Sequence, residues 1–389
     1  MQPASGARDL NPRQVEINHL IATKLASVYN SWGYEEVAPP NIERIETLMA
    51  GDAISNKDIV KVVADDSLGL RPELTTSIAR AASTRLINRP RPLRLWTQGT
   101  VFESKEYIAI GSYIEESLQT GVELFGIKDI NAEIELLSLL LDCLKSLQLD
   151  DYLKPTLLIG HKKIMDLILN RFDKSKRKEI KSILSNYDKL SINKLMIGED
   201  LKNEIHRVNE IRGEPNSVLD ELQNIYGDNE IIRELSKLFK IITPISINYN
   251  VEIQLDPTFQ ANYDLYNGII FQLVCNQTHN NIVIAKGGRY DKIIETFNDI
   301  KNENAGLGFT FDIDKTRDIF QEDQIRSTPK NKVLIAFSKN RNIKDALEIQ
   351  RDLHLNGQIA VIELSECENR NTAMELLLQR KFNKLEWLD

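Results

Sequence analysis

Residues 117–126 read SLQTGVELFG, a polar entry followed by an apolar run bounded by glycines. The valine, leucine and phenylalanine between those glycines predict a strand. Upstream, LRLWTQ (93–98) and TVFES (100–104) have the same strand-like character. IVKVV (59–63) precedes them, with a helical segment near 75–88 in between. No helical crossover separates the later runs, so they are expected to pair antiparallel. That pairing sets the class as α+β: an antiparallel sheet that the rest of the chain must flank with helices.

Working outward, the flanks supply those helices. Asn11 can cap a helix with Pro12 at its first position and Gln14 closing a capping box. Ile17, Leu20, Ile21, Leu25, Val28 and Trp32 then fall on one helical stripe. Residues 131–148 predict another helix, with Ile134, Leu137, Leu141 and Leu144 on one face. From about 160 to 245 the chain is rich in Lys, Glu, Leu and Ile at helical spacing, a helical insertion. Strands resume at ISINYNVEIQLD (245–256), NGIIFQLVC (267–275), NIVIAK (281–286) and GLGFTFDID (306–314), and are expected to complete the first sheet. QEDQIRSTPKN (321–331) reads as a linker. VLIAF (333–337), a helix from Ile343 to Leu355 stopped by NG, and IAVIEL (359–364) make a βαβ unit. The expected organisation is a main domain over 1–320, the linker over 321–331 and a small α/β domain over 332–389.

Composition narrows the function. A chain of 389 residues has room for two domains with substantial cores. Its 49 Lys and Arg against 57 Asp and Glu leave a formal charge of −8, which disfavours nonspecific attraction to nucleic acid. Residues 331–389 carry as many acidic as basic side chains and no basic stripe, so no tRNA partner is expected. Cys143, Cys275 and Cys367 lie far apart without zinc spacing, and the five histidines lack ligand or triad spacing. No metal and no cofactor are expected. The first residues show no basic region followed by an apolar run, and no window approaches a membrane span, so the expected location is the cytoplasm, with no membrane partner.

Six ordered stretches carry a resemblance: LRPELTTSIAR (70–80), VFESK (101–105), SLQTGVELFG (117–126), YDLYNGIIFQ (263–272), AKGGRYDKI (285–293) and GLGFTFDIDK (306–315). Together they are similar to the catalytic domain of histidyl-tRNA synthetases, a class II synthetase fold, over roughly residues 6–315. The departures bear on chemistry. Where the synthetases carry an Arg and a Glu in FRxE, this chain has Phe102, Glu103, Ser104 and Lys105, so both charges are reversed. The family's arginine contacts the ATP α-phosphate. A carboxylate about 4 Å from a phosphate charge costs on the order of 4 kcal/mol at an effective dielectric of about 20. The family's closing GxER is replaced by Asp314 and Lys315, which lose the bidentate guanidinium, and the arginine of RGLDYY falls on Ala261. The resemblance therefore implies a chain with no catalytic residue of its own and no ATP activation.

What the resemblance retains is the amino-acid pocket. It implies that Glu73, Thr75 and Gln119 receive an α-ammonium, while Glu123, Tyr266 and Tyr290 surround an imidazole, with Asp264, Arg289, Gly287 and Gly288 as support. Structural readings stand beside these. Glu123 could be a satisfied strand carboxylate, the tyrosines core aromatics, and the glycines a strand-end turn. An ion pair between strands explains Asp264 and Arg289 as well. A retained pocket with a broken ATP site resembles the regulatory subunits of ATP phosphoribosyltransferase. The resemblance implies a short-form catalytic subunit as partner, L-histidine as effector in the first step of histidine biosynthesis, and a self-dimer within a hetero-octamer. Two other readings remain: a histidine-sensing paralogue with a different protein partner, and a diverged, active histidyl-tRNA synthetase using Arg71 or Lys105 as substitute cations.

Overall fold

Asn11 opens the first helix as its capping box predicts, accepting from the Gln14 N–H at 2.9 Å while the Gln14 side chain accepts from the Asn11 N–H at 2.9 Å. In chain order, the computed structural model has α1 (Pro12–Ser31), β1 (Glu35–Glu36), β2 (Ile42–Arg44), α2 (Ile45–Leu48), β3 (Val60–Val62), β4 (Leu68–Leu70), α3 (Thr75–Ser83), β5 (Leu93–Tyr107), β6 (Gly111–Phe125) and α4 (Asn131–Leu147). Next come β7 (Lys154–His161), α5 (Lys162–Leu169), α6 (Lys174–Ser185), α7 (Lys189–Lys194), α8 (Glu199–Glu210), α9 (Pro215–Tyr226), α10 (Glu230–Asn248), β8 (Glu252–Leu255), β9 (Ile269–Asn276), β10 (Asn281–Arg289), α11 (Asp291–Phe297), β11 (Gly306–Asp312) and α12 (Ile313–Asp318). The structure describes residues 3–52, 54–107, 111–149, 153–260, 265–276, 280–297, 304–320 and 332–389. By contacts the chain forms two compact units, Met1–Phe320 and Gln321–Asp389. The expected linker, 321–331, lies outside the described residues.

An eight-stranded sheet, ordered β1-β5-β6-β11-β10-β9-β7-β8, organises the first unit. Its interior pairings are antiparallel, and only the edge pairs β1–β5 and β7–β8 run parallel. Cross-strand register decides which side chains share a face, because directly opposed residues, and residues two apart on a strand, point the same way. One row joins Leu95, Glu123, Gly308, Gly288 and Ile270, and the next joins Thr97, Gly121, Thr310, Lys286 and Gln272. This face is covered at one end by α3 and α11, whose Ile78, Ala82, Ile293 and Ile294 bury against Leu93, Leu95 and Phe125. Trp96, Val122, Phe309 and Phe271 point the other way. There Tyr29 of α1 lies 5.7 Å from the Trp96 ring and 6.3 Å from that of Phe309.

Two expectations about elements need correction. LRLWTQ and TVFES are one strand, β5, not two. Gly99 pairs with Gln119 in an unbroken ladder to β6, and the Arg71 guanidinium lies where a side chain at Gly99 would stand. ISIN (245–248) is the end of α10 and not the start of a strand. Pro244 removes one helical hydrogen bond there, yet the buried stripe Leu235, Leu238, Ile242, Ser246 continues past it. The helical insertion accordingly runs through α5–α10, and only Glu252–Leu255 of ISINYNVEIQLD is extended.

In the second unit β12 (Lys332–Phe337), α13 (Ile343–Leu355), β13 (Ile359–Ile362), α14 (Arg370–Gln379) and β14 (Lys384–Leu388) form a parallel sheet, ordered β13-β12-β14, with a helix on each face. Val333, Ile335 and Phe337 pack toward Ala346 of α13, while Ala336 packs with Ala373 of α14.

Candidate functional site

The N-terminus of α3 places the first polar groups. The Glu73 carboxylate accepts the Thr75 N–H at 2.5 Å and the Thr76 N–H at 2.9 Å, satisfying two free donors of the first helical turn. This aims the Thr75 hydroxyl across the sheet, where it donates to Glu123 Oε1 at 2.6 Å. The Tyr290 hydroxyl donates to Glu123 Oε2. Glu123 is only 2% exposed. Burial is the main reason its carboxyl titrates at about 8. The two hydroxyl donors pull that value down, and the Glu73 charge pushes it further up. Burial, followed by the Glu123 carboxyl, pushes the Tyr290 hydroxyl well above the usual phenol range.

Beside this carboxyl lies a cavity of about 130 Å³, lined by Glu73, Thr75, Gln119, Tyr266 and Tyr290 with apolar Ile54, Leu265 and Ile270. Glycines keep it open. A Cβ at Gly308 would overlap the Glu123 carboxylate, and one at Gly288 would come within 2.6 Å of the Tyr266 ring. Gly287 faces the opposite side, where a Cβ would meet Phe271 at 2.6 Å and Phe309 at 2.7 Å. Gly287 and Gly288 lie within β10 and are not among the positive-φ glycines, so their role is close approach and not the expected turn.

A second, more polar cavity of about 210 Å³ adjoins the first and shares Glu103, Gln119, Lys286 and Thr310 with it. Its charges are largely paired. Lys105 contacts Glu103 and reaches Glu115 at 3.8 Å, and Lys315 reaches Asp312 at 3.0 Å. Asp314 accepts the Leu118 N–H at 2.9 Å and pairs with Arg317. Arg71 is buried, its guanidinium donating to the carbonyls of Thr100 and Pro39 at 3.0 Å each. Neither Arg71 nor Lys105 stands as a free substitute cation.

The structure thus brings together Glu73, Thr75, Gln119, Glu123, Tyr266 and Tyr290, with Gly288 beneath. Gln119 donates to Ser117 Oγ at 3.1 Å. Arg289 is elsewhere: it grips Glu133 of α4 at 2.7 and 2.8 Å and the Ile127 carbonyl at 3.0 Å, tying β10 to a helix. Asp264 and Ala261 lie outside the described residues. The sequence reading missed Gly308, Asp58 and Lys286. A glycine inside the strand GLGFTFD is a signal of close approach that could have marked Gly308. Among the described residues no group of three or more His, Cys, Asp or Glu could hold a metal ion. The three cysteines are free and buried. No helix among the described residues is long and apolar enough to cross a membrane.

With this geometry in hand, comparisons with known proteins place the chain. The histidyl-tRNA synthetase family pattern matches residues 6–316. An ATP phosphoribosyltransferase regulatory subunit of Prochlorococcus marinus strain MIT 9211 is 48% identical over 100% of this chain and 99% of its own length. One from Synechococcus sp. strain CC9902 is 44% identical with the same coverage. Among solved structures, an ATP phosphoribosyltransferase regulatory subunit/histidyl-tRNA synthetase from Bacillus halodurans superposes with a TM-score of 0.83 at 22% identity, covering 100% of this chain and 98% of that one. A histidyl-tRNA synthetase from Nostoc sp. PCC 7120 does so with a TM-score of 0.77 at 16% identity, covering 98% and 90%.

Proposed function

The chain belongs to the family of ATP phosphoribosyltransferase regulatory subunits, within the histidyl-tRNA synthetase family, and on that premise we propose that its pocket holds free L-histidine as a feedback signal. The observation that carries the reading is Glu123, a buried carboxyl fixed by the Thr75 and Tyr290 hydroxyls beside a cavity of mixed polar and apolar lining. An imidazole carries one N–H donor and one acceptor in its neutral form, and a carboxyl with a tyrosine hydroxyl can satisfy both. Thr75 donates its proton to Glu123 and so keeps its oxygen lone pairs to accept an α-ammonium, with Glu73 and Gln119 alongside.

The partner is a short-form catalytic subunit, and the pair converts ATP and phosphoribosyl pyrophosphate to phosphoribosyl-ATP and pyrophosphate in the cytoplasm. The subunit is required for that activity but supplies no reacting group; the assembly is a hetero-octamer built on its self-dimer. Histidine inhibits by binding more tightly to the less active arrangement, with a coupling of about 1–3 kcal/mol typical of such linkage. The engagement of Arg71 by backbone carbonyls and of Lys105 by Glu103 supports this over a diverged, active synthetase.

Calorimetry of the purified chain with L-histidine, paired with an ATP–pyrophosphate exchange assay on the same sample, tests the reading. Saturable histidine binding without exchange is expected. Histidine-dependent exchange would return the chain to the synthetases, and absence of histidine binding would make Glu123 a structural carboxyl.

A further inference from the structure

We propose that Lys286 is the carboxylate receptor of the amino-acid pocket and so the residue that distinguishes an intact amino acid from its decarboxylated or reduced analogues. The assignment rests on the histidine reading above. Charge is the first reason. The cavity is lined by Asp58, Glu73 and Glu103, and Lys286 is the one Lys or Arg among its described lining residues. An amino acid brings one anionic group into this acidic setting, and that group needs a cation.

Its other potential partners are engaged. Two of the free N–H groups at the start of α3 that could receive a carboxylate, those of Thr75 and Thr76, already serve Glu73. In the adjoining cavity Lys105 and Lys315 are paired with Glu103 and Asp312. Lys286 has no ion pair among the described residues, and it lines both cavities at the point where they meet.

Register supplies the distance. Lys286 stands on the same sheet face as Glu123, two residues further along in the row through Thr310 and two strands away. Two residues along a strand are about 7 Å and two strand spacings about 10 Å, so the two backbones are roughly 12 Å apart. A carboxyl side chain at one end, a flexible four-carbon stem at the other and an amino acid lying between them span that gap. With its ring at Glu123 and its ammonium at Thr75, the ligand directs its carboxylate toward Lys286. On the strand between them, Gly308 beside Glu123 presents no side chain, and Thr310 beside Lys286 lines both cavities with it.

The test is calorimetry on the full chain with two probes, L-histidine and L-histidinol, which keeps the ring and ammonium but has an alcohol where the carboxylate was. For the wild type, L-histidine binds more tightly than L-histidinol. Lys286→Met weakens L-histidine about tenfold, in the range of a charge-assisted hydrogen bond at a partly open site, and leaves L-histidinol unchanged. Lys286→Arg restores most of the L-histidine affinity. Equal weakening of both probes, or an unchanged L-histidine affinity in Lys286→Met, overturns the role of Lys286 while the histidine pocket stands. A wild-type chain that binds neither probe overturns the histidine reading and this assignment with it.

Discussion

Glu123 is buried, bonded to two hydroxyls and titrates at about 8 against an ordinary 4.5, so between those values the folded chain holds a proton that the unfolded chain has lost. The folded state then binds more protons, and its stability must fall as pH rises through that window. Glu123→Gln keeps the size and the polar partners but cannot ionise. In thermal melts of the ligand-free chain from pH 5 to 8, the wild type is expected to lose stability progressively relative to the variant, and parallel curves would refute the assignment. The variant should also weaken L-histidine by about tenfold or more, since a buried charged or acidic partner is lost. The pocket residues were legible in the sequence because they sit in ordered motifs. Their mutual bonding was not, since Thr75, Glu123 and Tyr290 come from a helix start and two strands whose register no local pattern specifies. Lys286 escaped notice for a related reason: a lysine before a glycine pair has no meaning until the sheet shows what it faces.

Among the elements, β10 and α4 are joined by the Arg289–Glu133 pair, both side chains buried, with the guanidinium fork bidentate on the carboxylate. Removing one partner of such a pair leaves an uncompensated buried charge. Arg289→Met is therefore expected to cost about 3–5 kcal/mol in urea denaturation, with much of that loss recovered when Glu133→Leu is added. Two losses that simply add would contradict a direct pairing. At the start of α5, His161 Nδ1 accepts the Lys163 N–H at 3.1 Å. Burial first, then the Lys163 and Arg289 charges, holds the imidazole at about 3 against an ordinary 6.5. Here the unfolded state binds the extra proton, so stability is lost as pH falls from 6.5 toward 3. His161→Asn keeps a capping side chain and should flatten that acid limb in melts at pH 4 to 6, whereas an unchanged limb would place the titration elsewhere. Helix and strand types were readable from periodicity and caps. The misreadings, β5 as two runs and ISIN as a strand, arose where a distant partner overrides local preference: the β6 ladder that pairs Gly99 with Gln119, and the insertion core beneath Ile242 and Ser246.

For the whole molecule, the sheet of the histidyl-tRNA synthetase fold is kept, while among the described residues Arg71 and Lys105 are engaged internally. The overall fold was legible because six motifs in fixed order specify a sheet better than any one of them could. The meeting of two cavities at Lys286 belongs to the folded sheet alone. Under this account histidine bound in the first unit reports to a catalytic partner only by favouring one arrangement of the complex, so the strength of inhibition must track affinity at Glu123. The most direct test is the rate of phosphoribosyl-ATP formation by the reconstituted complex as L-histidine is raised, compared between wild-type and Glu123→Gln subunits. The variant's inhibition curve is expected to move to higher histidine by the same factor as its loss of affinity. Superimposable curves would place the histidine response outside this pocket.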